Sequence, residues 1–216
     1  MNILILNCDY DEEMDTNGGE LIRAHLNNLG INADIVNCFD NRFPLRLDYD
    51  GVIITGSRAS VYETLPWITK LRTVIKQIDE LSIPTLGICF GFQIIADAFG
   101  GTVKSSGHFE EGFKLIKVNG HQLFNSLPKD FLVYESHGDI AVELPSGAKN
   151  LSSNWCNEAF QLRNFLGVQF HPEITMPVAQ KMAERDRKDI NSPVKIANNY
   201  SATLRVIENF VNEFCK

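Results

Sequence analysis

The sequence predicts an α/β fold: an open, mostly parallel sheet with helices on both faces, plus a small antiparallel extension. Two observations carry this. In the first half, short apolar runs alternate with amphipathic stretches at helical spacing, as β-α-β units do. In the second half, strand-like runs follow one another across short, turn-rich joins, which extend the sheet or add an antiparallel layer.

The elements follow in order. Residues 3–7 (ILILN) read as a buried parallel strand. Residues 18–30 place Leu21, Ile22, Leu26 and Leu29 at helical spacing, with Gly30 as a stop. Residues 32–37 and 51–55 are the next two strands. A stripe of Trp67, Ile68, Leu71, Val74, Ile75 and Ile78 predicts a helix within 64–82 that starts near Pro66. Strand 84–88 leads into helix 90–101, closed by Gly100 and Gly101. Residues 113–118, 131–136, 158–163 and 165–170 are strand-like. Thr175 can cap a helix with Pro177 in its first turn, and Ser192 another with Pro193 at its start. The last helix has one apolar face of Ile196, Tyr200, Leu204, Ile207, Val211 and Phe214. The run 184–189 reads as a solvated helix end. With no repeat, linker or low-complexity stretch, residues 1–216 read as one domain.

Composition narrows the class of function. A net charge of −7 argues against nucleic-acid backbone binding. No apolar run reaches the length of a membrane helix, and the start of the chain lacks the basic and apolar pattern of a signal peptide. The five cysteines include no C-x-x-C pair, so they read as reduced thiols of a cytoplasmic protein. No histidines share a helix face at ligand spacing, and neither a metal nor a cofactor is expected.

One cysteine differs in its surroundings. Gly87-Ile88-Cys89-Phe90-Gly91 is a G-x-C-x-G sequence between an apolar strand and an apolar helix. It is the cysteine counterpart of the strained strand–turn–helix elbow that carries nucleophilic serines. The flanking glycines remove Cβ atoms where strand and helix approach. The helix N-terminus favours a thiolate, and the N–H of Phe90 points toward a developing oxyanion. A base is available in GVQFHPE: His171 ends a buried strand, and Glu173 stands at i+2, where an extended backbone puts both side chains on one side. A carboxylate on one ring nitrogen leaves the other to face the thiol. Singly, Cys89 also fits a small core residue, His171 a core histidine and Glu173 a surface charge; together they point to a triad. His137 is a competing base and is preferred as part of a binding loop. His25 reads as exposed. His108 and His121 lie in turn-like segments without a carboxylate at useful spacing.

GICFGFQ (87–93) with GVQFHPE (167–173) resembles the class I glutamine amidotransferases of the Cys-His-Glu type, over most of the chain. EEGF (110–113) and ESHGD (135–139) resemble the amidotransferase part of GMP synthases, whereas GSRASVYETLPWI (56–68) is more similar to stand-alone members. The resemblance implies a flavodoxin-like fold, Cys89 as nucleophile, His171 as general acid and base, and Glu173 as its orienter. It implies an oxyanion hole from the N–H of Phe90 and one from the Gly56-Ser57 turn. Gln93, Ser136, His137 and Gly138 are implied to hold the substrate. Many relatives have two glycines where Gly56-Ser57 stands, so Ser57 supplies its N–H only if its φ is negative.

The implied reaction is amide hydrolysis of glutamine through a thioester, with ammonia passing to an acceptor synthase on a partner, because no Walker-type phosphate loop is present. A stand-alone γ-glutamyl hydrolase would use the same triad. A non-catalytic binding module on the same fold is the third class.

Overall fold

A computed structural model describes residues 1–9, 17–154, 156–185 and 203–215. Its main sheet has seven strands in the order β2-β1-β3-β4-β9-β8-β7. The first five in that order are parallel: β2 (Asn32–Asn37), β1 (Asn2–Asn7), β3 (Gly51–Ile54), β4 (Thr85–Ile88) and β9 (Phe165–Val168). β8 (Ala159–Leu162) pairs antiparallel with β9, and the edge strand β7 (Lys149–Asn150) pairs antiparallel with β8. The expected parallel sheet with an antiparallel extension is therefore present.

Alternation along the strands sends side chains to two cores. Ile3, Ile5 and Ile53 pack with α1 (Gly18–Asn28) and α5 (Leu204–Glu213) on one face. Leu4, Leu6, Val52 and Ile54 pack with α2 (Pro66–Glu80) and α3 (Phe90–Ala98) on the other. α1 starts at Asn17, whose side chain accepts from the N–H of Glu20 at 3.0 Å. α4 (Met176–Arg185) follows Thr175 as expected. The expected cap at Ser192 and the face residues Ile196 and Tyr200 lie outside the described residues.

A separate two-stranded ribbon, β5 (Thr102–Lys117) with β6 (Asp130–Glu143), departs most from the sequence reading. Strands were expected only over 113–118 and 131–136. The extra length of β5 is mostly polar and contains glycine, so it carries no apolar alternation. It is held by cross-strand pairing, with a register shift between Ser105 and Glu110. His108 lies inside β5, not in a turn, 3.3 Å from Glu110 Oε1. His25 is also not free on the surface: its ring is half-buried 3.4 Å from Glu208 of α5.

The ribbon positions the site. β6 crosses the carboxyl ends of β4 and β9, where open α/β sheets gather their ligands.

Candidate active site

Three short peptide segments meet at this end of the sheet. β4 and β9 pair in parallel with Ile88 opposite Val168, and the N–H of Cys89 donates to the carbonyl of Val168 at 2.8 Å. Neighbouring strands lie about 4.8 Å apart, so the residues just beyond their ends are forced together.

Cys89 is the turn between β4 and α3. Its backbone sits at φ 51°, ψ −105°, strained for any residue with a Cβ. The surrounding glycines show why the elbow is tight: a Cβ on Gly91 would lie 2.2 Å from the carbonyl oxygen of Ile54, and one on Gly87 would lie 2.5 Å from the backbone of Gly91. The first amides of α3, that of Phe90 among them, have no partner within the helix and face the sheet end.

His171 follows β9. Its N–H donates to the carbonyl of Tyr134 on β6 at 2.9 Å. Its Nδ1 is 2.8 Å from Glu173 Oε1. The link forms across a turn at 172–173, not along an extended strand. Glu173 is buried against the start of α1, where Gly18 approaches its Oε1; a helix N-terminus favours a negative charge there. Burial lowers the basicity of His171, but the charge of Glu173 and the charge and hydrogen bond of Cys89 outweigh it, holding the imidazole well above the usual histidine range. His171 is thus in hydrogen-bonding reach of both Cys89 and Glu173, the arrangement that moves a proton between a thiol and a departing group.

Gly56, after β3, packs flat against the imidazole; Ser57 keeps a negative φ, the condition for its N–H to serve an oxyanion. Both line a cavity of about 540 Å³ together with Cys89, His171 and Glu173. Gln93, Ser136, His137 and Gly138 line it too. Gln93 does so from beneath: its Nε2 donates to the carbonyl of Asp139 at 2.9 Å and to Gln169 Oε1 at 3.2 Å. The ring of His137 is buried between Glu135 and Glu110 and reaches neither Cys89 nor Glu173 by any hydrogen bond among the described residues, which favours its reading as a loop residue over that of a competing base.

Sequence reasoning missed several neighbours. Gln169, fully buried, donates from Nε2 to Cys89 Sγ at 3.7 Å. Its place two residues before His171 in an apolar strand was an available signal, since a buried amide must find partners. The buried acids Glu135 and Glu158 gave no periodic signal. Among the described residues no cluster of His, Cys, Asp and Glu could hold a metal ion.

Residues 15–188 match the family model of the class-I glutamine amidotransferases. The chain is 34% identical over 208 residues to a glutamine-hydrolysing GMP synthase of Bordetella parapertussis, covering 88% of this chain and 38% of that one. It is 39% identical over 138 residues to the glutamine-hydrolysing GMP synthase of Aromatoleum aromaticum, covering 58% and 26%. The chain therefore spans well under half the length of these relatives. Two solved structures share the fold: a glutamine amidotransferase from Thermotoga maritima (TM-score 0.81, 19% identity, 99% of this chain and 98% of that one) and one from Methylobacillus flagellatus (TM-score 0.81, 20% identity, 98% and 94%). With the family model spanning most of its length around this elbow and histidine, the chain belongs to the class-I glutamine amidotransferase family.

Proposed function

We propose that this protein hydrolyses the side-chain amide of glutamine through a thioester on Cys89 and passes the ammonia to a synthase partner. One observation carries the reading: His171 bonds Glu173 through Nδ1 and lies within hydrogen-bonding reach of Cys89, and all three line one cavity. Cys89 gives its proton to His171 and its sulfur attacks the carboxamide carbon. The N–H groups of Phe90 and Ser57 take the oxyanion, and loss of one such donor costs about 3 kcal/mol in the transition state. His171 then protonates the departing nitrogen, which leaves as ammonia. A water, deprotonated by the same ring, cleaves the thioester to give glutamate and restore the thiol. Glu173 keeps Nδ1 protonated so that Nε2 does this work. Ser136, His137 and Gly138 hold the glutamyl backbone, and Gln93 supports that loop. The partner reading is supported by the synthase relatives, of which this chain matches only a part. Free thiols at all five cysteines fit a reducing, cytoplasmic setting. Among the described residues no helix is long and apolar enough to cross a membrane.

A γ-glutamyl hydrolase is the second reading. Leu21, Ile174, Val178 and Met182 give the cavity an apolar wall that ammonia does not need. Glutamate release from glutamine and from γ-glutamyl dipeptides, with Cys89→Ala as control, separates the two. Turnover of glutamine with a higher kcat/KM supports the first reading. Preference for the dipeptides reverses it, and unchanged turnover in the control removes the triad. A purified protein that releases glutamate from neither substrate, alone or with a synthase, is the third class, a binding module.

A further inference from the structure

His171 has a charge interaction with a second buried acid besides Glu173. Three consecutive residues of β6 reach the site. The carbonyl of Tyr134 accepts from the N–H of His171 at 2.9 Å, and the carbonyl of Ser136 lies 3.8 Å from Cys89 Sγ. Between them sits Glu135, with no exposed surface. Its Oε2 is 3.3 Å from His137 Nε2, and its carboxyl is in hydrogen-bonding reach of Glu158. Glu158, also buried, accepts from Cys156 Sγ at 2.8 Å, and Glu110 Oε2 stands 3.8 Å from His137 Nε2.

Donors are too few for this cluster. His137 Nδ1 faces the carbonyl of Asp139 at 3.1 Å. A carbonyl only accepts, so Nδ1 carries a proton, and Nε2 of the neutral ring is one more acceptor. As carboxylates, Glu135 has no hydrogen-bond donor to either oxygen, and Glu158 has none to Oε2. Two adjacent buried carboxylates with a single thiol donor to the pair are costly, and one proton between them supplies a further donor and removes the repulsion. Burial in fact pushes Glu135 up to about 7 and, with the charge of Glu135, Glu158 up to about 8.

We propose that Glu135 is a positioning residue acting through His171: the Glu135–Glu158 pair holds one shared proton, and its release to solvent adds a negative charge within electrostatic reach of the imidazolium that forms when Cys89 gives up its proton. This rests on His171 being the acid–base partner of Cys89. The other charges that bear on the pair are His108, Glu110 and Lys114 of β5, His137 of β6, Cys156 beside Glu158, and His171 with Glu173 beyond β9. Nothing here competes with Glu173, which holds the ring's other nitrogen. Glu135 adjusts how much of the pair exists as thiolate and imidazolium, and does so near neutral pH.

The test is the rate of Cys89 alkylation by iodoacetamide across pH, with kcat/KM measured beside it. Alkylation needs no substrate, so a protein that refuses glutamine still gives a profile, and the two readings fail separately. Wild type should show a rise with an inflection near neutrality. Glu135→Gln should lose it, lowering the ratio of rates at about pH 8 and about pH 6 by roughly threefold or more, the effect of half a pKa unit. Glu158→Gln should move the inflection to lower pH, because the remaining carboxyl no longer faces a second one. If Glu135→Gln does not fold, the Glu158→Gln profile decides. A wild-type profile without the inflection, or variants that scale the rate equally at every pH, overturns the proposal.

Discussion

A Cβ on Gly56 would stand 2.9 Å from His171 Cε1 and 3.7 Å from the Cβ of Cys89. The loop after β3 therefore has room for a hydrogen only, and the imidazole is tethered beside that contact because Glu173 holds its Nδ1 at 2.8 Å. Gly56→Ala should displace the ring while leaving the core untouched. A displacement of about 1 Å costs roughly a hundredfold in rate. We expect kcat to fall by about that factor with the urea midpoint almost unchanged. A variant with wild-type kcat would show that the ring is free to move.

The strain at Cys89 is a property of the backbone, not of sulfur. Ala keeps the Cβ that φ 51° disfavours, whereas Gly removes it. Cys89→Ala and Cys89→Gly should both lose glutamate release. Cys89→Gly should nevertheless be the more stable of the two by about 1 kcal/mol, the low end of such strain. Chemical denaturation of the pair reads the difference, and equal stabilities would mean that the elbow is relaxed.

This contrast also explains what could be read in the sequence. The meeting of Cys89, His171 and Glu173 was legible because tight geometry demands particular residues at fixed spacing: glycines on both sides of the elbow, and a histidine at the end of a buried strand. The parallel sheet was legible because Leu4, Leu6, Val52 and Ile54 pack one face and Ile3, Ile5 and Ile53 the other, leaving uninterrupted apolar runs. The outer half of the β5–β6 ribbon was not. Its pairing uses backbone hydrogen bonds, to which side-chain pattern is blind. Glu135 and Glu158 escaped for a related reason. A buried acid looks like any surface acid until tertiary contacts supply its surroundings.

Gln93 gives a sharper distinction between holding substrate and holding the loop. Its amide is engaged by Asp139 and Gln169, and Gln169 in turn reaches Cys89. Gln93→Ala leaves Gln169 Oε1 short of this donor and the carbonyl of Asp139 with His137 Nδ1 alone, at about 1–3 kcal/mol. The damage reaches Cys89 through Gln169, while the bond from His137 still holds the loop at Asp139. We expect kcat to fall about tenfold with KM within about twofold of wild type. A large rise in KM with kcat preserved would place Gln93 on the substrate instead.

The buried acids also set the sign of the protein's response to pH. Glu135 and Glu158 start from an ordinary value of 4.5 and are raised to about 7 and about 8 in the fold by burial. Below about pH 4.5 both are protonated whether the chain is folded or not, and they contribute no slope. Between that point and about pH 8 the unfolded chain has released both protons, while the folded pair holds first two and then the one that they share. Stability therefore falls as pH rises through this window and levels off above it. His171 acts in the same direction: its raised value gives stability that is full below its unfolded value near 6.5 and is lost as pH climbs through the folded one. Glu135→Gln removes one of the acids without changing its shape. Urea unfolding should find the variant close to wild type at about pH 5 and more stable by about 2 kcal/mol at about pH 8, where the wild-type fold must bury the extra charge. The same difference at both pH values would mean that Glu135 is ionised throughout and that the pair holds no shared proton.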